Sequence, residues 1–83
     1  MKRYKIIFKG RVQAVGFRYK AYMLANKLRL TGDVCNLYNG DVKLHIQGEK
    51  EKIDIFLNEL NNDRFIRIDD MEIKEEEIKE ILS

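Results

Sequence analysis

The chain has 83 residues, 45% hydrophobic and 36% charged, with a formal net charge of +2. That length holds one domain, residues 1–83, without room for a second core, and a chain so small buries roughly 60% of its unfolded surface. The weak positive charge, mixed in sign, does not by itself argue for nucleic acid. A lone Cys35 excludes an intrachain disulfide and fits a reducing compartment, the cytosol, and no apolar run resembles a signal peptide or is long enough to span a membrane.

Taken in order, the chain opens on an alternating run, Tyr4, Ile6 and Phe8 with Lys5 and Lys9 between, a strand pattern interrupted only by Ile7. Phe17, Ala21, Leu24, Ala25 and Leu28 then fall at i, i+4, i+7, i+8 and i+11, one face of a helix. Arg29-Leu30-Thr31-Gly32 reads as that helix's end, with Gly32 as the left-handed cap. Asp33 to Tyr38 is the second strand, though its alternation is not clean. Asn39-Gly40 suits a two-residue type I′ hairpin turn. In the third strand Val42, Leu44 and Ile46 face inward and Lys43, His45 and Gln47 outward, and Gly48 ends it. Ile53, Phe56, Leu57 and Leu60 give a second amphipathic helix ending near Asn61-Asn62. Phe65, Ile66 and Ile68 lead into a fourth strand, Met71-Glu72-Ile73-Lys74.

The order β-α-β-β-α-β predicts the α+β class: a ferredoxin-like α/β sandwich, an antiparallel sheet with both helices on one face. The tail from Glu75 to Ser83 is ambiguous. Ile78, Ile81 and Leu82 sit at helical spacing, while Glu80 to Leu82 could also pair as a short edge strand.

Between the first strand and first helix lies Gly10-Arg11-Val12-Gln13-Ala14-Val15-Gly16-Phe17-Arg18. The first turn of a helix leaves backbone N–H groups without partners, and the macrodipole makes that end positive. A loop entering it can curl its own N–H groups toward the same point, forming an anion nest. Side chains lean back toward the helix N-terminus, so Arg18 can reach over the loop, and its planar fork matches a phosphate. Plain turn chemistry with a solvated arginine accounts for the same residues, and the pattern alone leaves both open. The better-known phosphate loops do not fit: Gly16 is followed by Phe17-Arg18 instead of Lys-Ser/Thr, and Gly10 by Arg11-Val12 instead of x-Gly.

The stretch Gly10 to Arg18 resembles the acylphosphatase signature, G-x-V-Q-G-V-G-F-R. Gly32-Asp33-Val34-Cys35-Asn36, followed by Asn39-Gly40-Asp41-Val42, is similar to the family's second block, G-x-V-x-N and a D-G-x-V hairpin. The resemblance covers roughly residues 3 to 77. It implies hydrolysis of small acyl phosphates to a carboxylate and inorganic phosphate, with no metal and no cofactor. It assigns the backbone N–H groups of Gly10, Arg11, Val12, Gln13, Ala14 and Val15 to a phosphate cradle, Arg18 to a phosphate clamp, and Asn36 to orienting the attacking water. On spacing alone Asn36 reads rather as a strand-end turn residue, and it is the resemblance that reverses this.

The chemistry needs little more. Phosphoryl transfer asks mainly for positioning and charge stabilisation, a carboxylate leaves without a general acid, and the phosphate's own oxygens can take the water's proton. Two departures from the family pattern stand out. Ala14 replaces a glycine and is expected at negative φ, where its Cβ is harmless. Asp33 stands where the family often has tryptophan, and strand parity points it away from Asn36.

Other candidates are weaker. His45 reads as solvated and, alone, makes a poor metal site; Cys35 lacks a base. An RNA-recognition module would carry aromatics on the open faces of strands one and three, but those positions hold Lys5, Ile7, Lys9, Lys43, His45 and Gln47. The expectation is therefore a cytoplasmic, monomeric enzyme with no nucleic-acid or membrane partner. The alternative is a non-catalytic phosphate-binding module of the same fold, such as occurs within hydrogenase-maturation carbamoyl-transfer proteins.

Overall fold

The computed structural model describes residues 1–80, in the order β1 (Lys2–Arg11), α1 (Phe17–Leu28), β2 (Thr31–Asn36), β3 (Val42–Gly48), α2 (Lys50–Asn61) and β4 (Arg67–Glu76). The βαββαβ order and the ferredoxin-like sandwich are as the sequence predicts. All strand pairs are antiparallel, in the sheet order β2-β3-β1-β4. The alternation of β1 and β3 explains their central place. Ile6 and Phe8, with Val42, Leu44 and Ile46, face the helices and join Ala21, Leu24, Ile53, Phe56 and Leu60 in one buried cluster. Each of the larger side chains among them contributes about 1.5–3 kcal/mol by leaving water. The helices touch each other above β2 and β3, and among the described residues no helix is long and apolar enough to cross a membrane.

Four local expectations are corrected. The left-handed cap of α1 is Arg29 (φ 57°, ψ 42°), not Gly32. The N–H of Leu30 donates to the Ala25 carbonyl (2.8 Å) and that of Arg29 to Asn26 (3.3 Å), the paired bonds of a Schellman motif. Gly32 instead belongs to β2, which begins at Thr31; a Cβ there would run into the His45 carbonyl oxygen, so neighbouring-strand approach is what requires glycine. The hairpin turn spans Leu37 to Asp41, with Gly40 N–H donating to the Leu37 carbonyl and only Gly40 left-handed (φ 95°). That is a type I turn closed by a glycine bulge, not a two-residue type I′ turn. Finally, β4 starts at Arg67, earlier than expected, and pairs with β1 from Arg3↔Glu76 to Arg11↔Arg67 with a bulge between Lys9 and Gly10.

The open face of the sheet is mostly polar, and several of its side chains pair with one another. His45, read as solvated, is half-buried with Nδ1 3.0 Å from the Asp33 carboxylate, and Arg3 lies 3.6 Å from Glu76. Gln47 is outward, as its parity requires, yet only 3% exposed. Its amide donates to the Lys79 carbonyl and accepts from the Lys79 N–H, both at 2.8 Å. Residues 77–80 are thus held as an irregular segment, neither helix nor strand, and the alternatives running through Ile81 and Leu82 lie outside the described residues.

Candidate active site

The loop from Val12 to Gly16 is pinned to the core at both ends. Val12 is 1% exposed and Phe17 2%, and the Phe17 ring packs on Phe8 with centroids 4.9 Å apart. Between them the backbone alternates in sign. Ala14 (φ 58°) and Gly16 (φ 80°) are left-handed, while Gln13 and Val15 are not. Such alternation turns successive N–H groups toward one point. Lys20 N–H makes the first bond of α1, to the Gly16 carbonyl. Among the described residues, no backbone carbonyl takes the N–H groups of Gln13 to Arg18. The first turn of α1 also carries no acidic side chain to occupy its positive end.

The negative φ expected for Ala14 is therefore wrong. The cradle needs a left-handed residue there, and the loop imposes it on an alanine at a cost of about 1–2 kcal/mol.

A cleft of about 350 Å³ opens over this loop, lined by Val12, Gln13, Ala14, Gly16, Phe17, Arg18, Tyr19 and Asn36. It brings together five of the eight residues singled out in the sequence: Val12, Gln13, Ala14, Arg18 and Asn36. Arg18 is exposed and makes no ion pair among the described residues, leaving its guanidinium free for an anion. Asn36 closes β2 on its helix side, level with Val42 of β3. Gly10 and Arg11 lead into the cradle without lining it: both are β1 residues opposite Ile68 and Arg67. A Cβ on Gly10 would strike the Arg67 carbonyl oxygen. Val15 is half-buried against the core. A groove of about 390 Å³ between α1 and β2 is slightly larger, but its lining is mainly apolar, Leu30, Val34, Leu44 and Phe56 among it, and includes the Asp33 carboxylate and no lysine or arginine to meet an anion.

Two contacts around the site lay outside the sequence reading. Gln13, expected to act only through its backbone, sends its side-chain amide to the hairpin, to the carbonyls of Leu37 (2.7 Å) and Asp41 (2.8 Å). Partners 24 and 28 residues away left no local signal. In the connection between α2 and β4, Asp63 accepts from the N–H groups of Phe65 and Ile66 and lies 3.5 Å from Lys20 of α1. The backbone bond from Phe65, then that from Ile66 and the Lys20 charge, hold its carboxyl below the ordinary 3.8.

The acylphosphatase family model matches residues 4–82. The chain belongs to the acylphosphatase family. An acylphosphatase of Oceanobacillus iheyensis is 42% identical over 77 residues, covering 90% of this chain and 85% of that one. The crystal structure of acylphosphatase from Bacillus subtilis superposes with a TM-score of 0.87 at 36% identity, covering 96% of this chain and 90% of that one. A HypF structure from T. kodakarensis superposes with a TM-score of 0.83 at 38% identity, but the match covers 96% of this chain and 11% of HypF. The acylphosphatase fold thus also occurs as a small part of a larger protein. In this chain the residues that resemble the family's signature form a strand-to-helix loop after β1 that shares a cleft with Asn36 at the end of β2, with β3 lying between the two strands.

Proposed function

We propose that this chain is an acylphosphatase that hydrolyses the carboxyl–phosphate bond of small acyl phosphates, releasing carboxylate and inorganic phosphate without a metal ion. The observation that carries the reading is a single cleft lined by Gln13, Ala14, Gly16, Phe17, Arg18 and Asn36, on a loop whose N–H groups from Gln13 to Arg18 have no backbone acceptor among the described residues.

The phosphoryl oxygens sit among the cradle N–H groups and the Arg18 fork, which stabilise the charge spread over them in the transition state. The Asn36 carbonyl oxygen accepts from a water and aims its lone pair at phosphorus. As the water oxygen bonds to phosphorus, the P–O bond to the acyl group breaks and the carboxylate leaves with the electron pair. The water's proton passes to a phosphoryl oxygen. Among the described residues the lining offers a guanidinium, amides and the Tyr19 hydroxyl and no carboxylate, imidazole or thiolate, a donor set suited to an anion rather than a cation. The family match over residues 4–82 supports reading 1–83 as one domain, and the lone Cys35 supports the cytosol; a monomer suffices because one chain carries every residue assigned here.

The test is phosphate release from acetyl or benzoyl phosphate by purified protein in excess chelator, beside an alkyl phosphate monoester. Release from the acyl phosphates alone is the expected result, since an alkoxide leaving group needs a general acid and none of the residues assigned a role here supplies one. Equal turnover of the monoester, or loss of activity on chelation, would defeat the proposal. Phosphate binding without any release would leave an anion-binding module.

A further inference from the structure

The cradle and Asn36 come from separate parts of the chain, and among the described residues no strand ladder joins them directly. Among those residues β2, which ends at Asn36, pairs with β3 and not with β1, and the cradle lies beyond the last residue of β1. Yet a water held by Asn36 must meet a phosphorus held by the cradle. Groups in such a constellation must be placed within about 0.5 Å, and a 1 Å error costs about 10²-fold.

One side chain crosses the gap. The Gln13 amide nitrogen spends both hydrogens on the hairpin, one on the Leu37 carbonyl (2.7 Å) and one on the Asp41 carbonyl (2.8 Å). Leu37 is the residue after Asn36, and its own N–H donates to the same Asp41 carbonyl at 2.8 Å. Gln13 therefore grips the closing pair of the hairpin, one peptide unit from Asn36. The amide cannot be reversed, because its oxygen would then face two carbonyl oxygens. Its base is equally fixed, between buried Val12 and left-handed Ala14.

We propose that Gln13 is a positioning residue: its side chain fixes the separation between the phosphate cradle and the water-orienting Asn36, and it acts on turnover through Asn36. This rests on the proposed acyl-phosphate hydrolysis.

The experiment is a double-mutant cycle. Gln13→Met keeps length and apolar stem and removes both donors; Gln13→Asn keeps the amide but falls one methylene short. Each is made in the wild type and in Asn36→Ala, with kcat measured on benzoyl phosphate and phosphate affinity from product inhibition. In the wild-type background both substitutions should lower kcat about 10- to 100-fold and leave phosphate inhibition nearly unchanged. In the Asn36→Ala background the same substitutions should change kcat by no more than about twofold, because coupled residues are not additive. An equal loss in both backgrounds, a loss confined to phosphate affinity, or no loss at all would overturn the proposal. Should Gln13→Met fail to fold, Gln13→Asn must show the same dependence on background. Absence of phosphate release by the wild type would instead defeat the parent reading, so the two failures are distinct.

Discussion

Replacing Ala14 with glycine should stabilise the protein. At φ 58° the alanine Cβ crowds its own following carbonyl, a strain of about 1–2 kcal/mol. Glycine removes it but gives the unfolded chain more freedom, worth about 0.4–1 kcal/mol. The midpoints, about 1.5 less about 0.7, leave a net gain near 0.8 kcal/mol. A domain of this size shifts by about 4–8 °C per kcal/mol, so Ala14→Gly should raise Tm by about 3–6 °C. Circular dichroism melts of wild type, Ala14→Gly and Ala14→Val decide the point. The valine variant should melt below the wild type, since a β-branched side chain fits the left-handed region worse. Adding phosphate at about 100 times its dissociation constant should stabilise wild type and glycine variant alike, by about 2.7 kcal/mol, because both keep the same cradle. A lower Tm for Ala14→Gly, or valine tolerated as well as alanine, would mean that this position is not left-handed and that the alternation of the cradle is wrong.

Arg18→Ala should abolish the phosphate-induced rise in Tm and lower kcat/KM, and Arg18→Lys should restore little, since an ammonium cannot make the two-pronged contact; a lysine variant of normal activity would refute the clamp. Asn36→Ala should keep the phosphate-induced rise in Tm while kcat falls by about 10²–10³, and normal turnover would reduce Asn36 to a turn residue. Asp63 has a folded pKa below its ordinary 3.8, so its stabilisation is complete above that value and disappears as pH falls through it toward the lower folded value. Asp63→Asn, which can still accept from Phe65 and Ile66, should therefore lose less stability than wild type on acidification in urea melts, and parallel profiles would count against the assignment.

The parts of the fold legible in the sequence are those where burial writes a period. β1, β3 and α2 each place apolar residues at strand or helix spacing, and each lies where that spacing predicts. The start of β4 was hidden because Arg67, Asp69 and Asp70 look like a loop; an edge strand exposed to water needs no apolar alternation, and its pairing with β1 comes from distant residues. Arg29 and Ala14 share another cause. Both are left-handed against their own preference, one for a helix cap and one for the cradle, and local propensity gives no warning of a conformation imposed by tertiary context. At the site, the signature marked Arg18 and Asn36, but Gln13's contacts depend on the folded hairpin. The Asp33 charge, close to Asn36 in sequence, faces the opposite side of the sheet beside His45, as strand parity predicts.

Binding loops are commonly drawn from the least stable parts of a protein, which open locally while the rest stays folded. The cradle here has no such independence. Its two ends are Val12 and Phe17, both members of the central core, and swinging the loop open means withdrawing one of them into water at a cost of about 1.5–3 kcal/mol. Catalytic competence and the folded state should accordingly be lost as one cooperative event under denaturant, with no intermediate range in which an intact domain has surrendered its phosphate site.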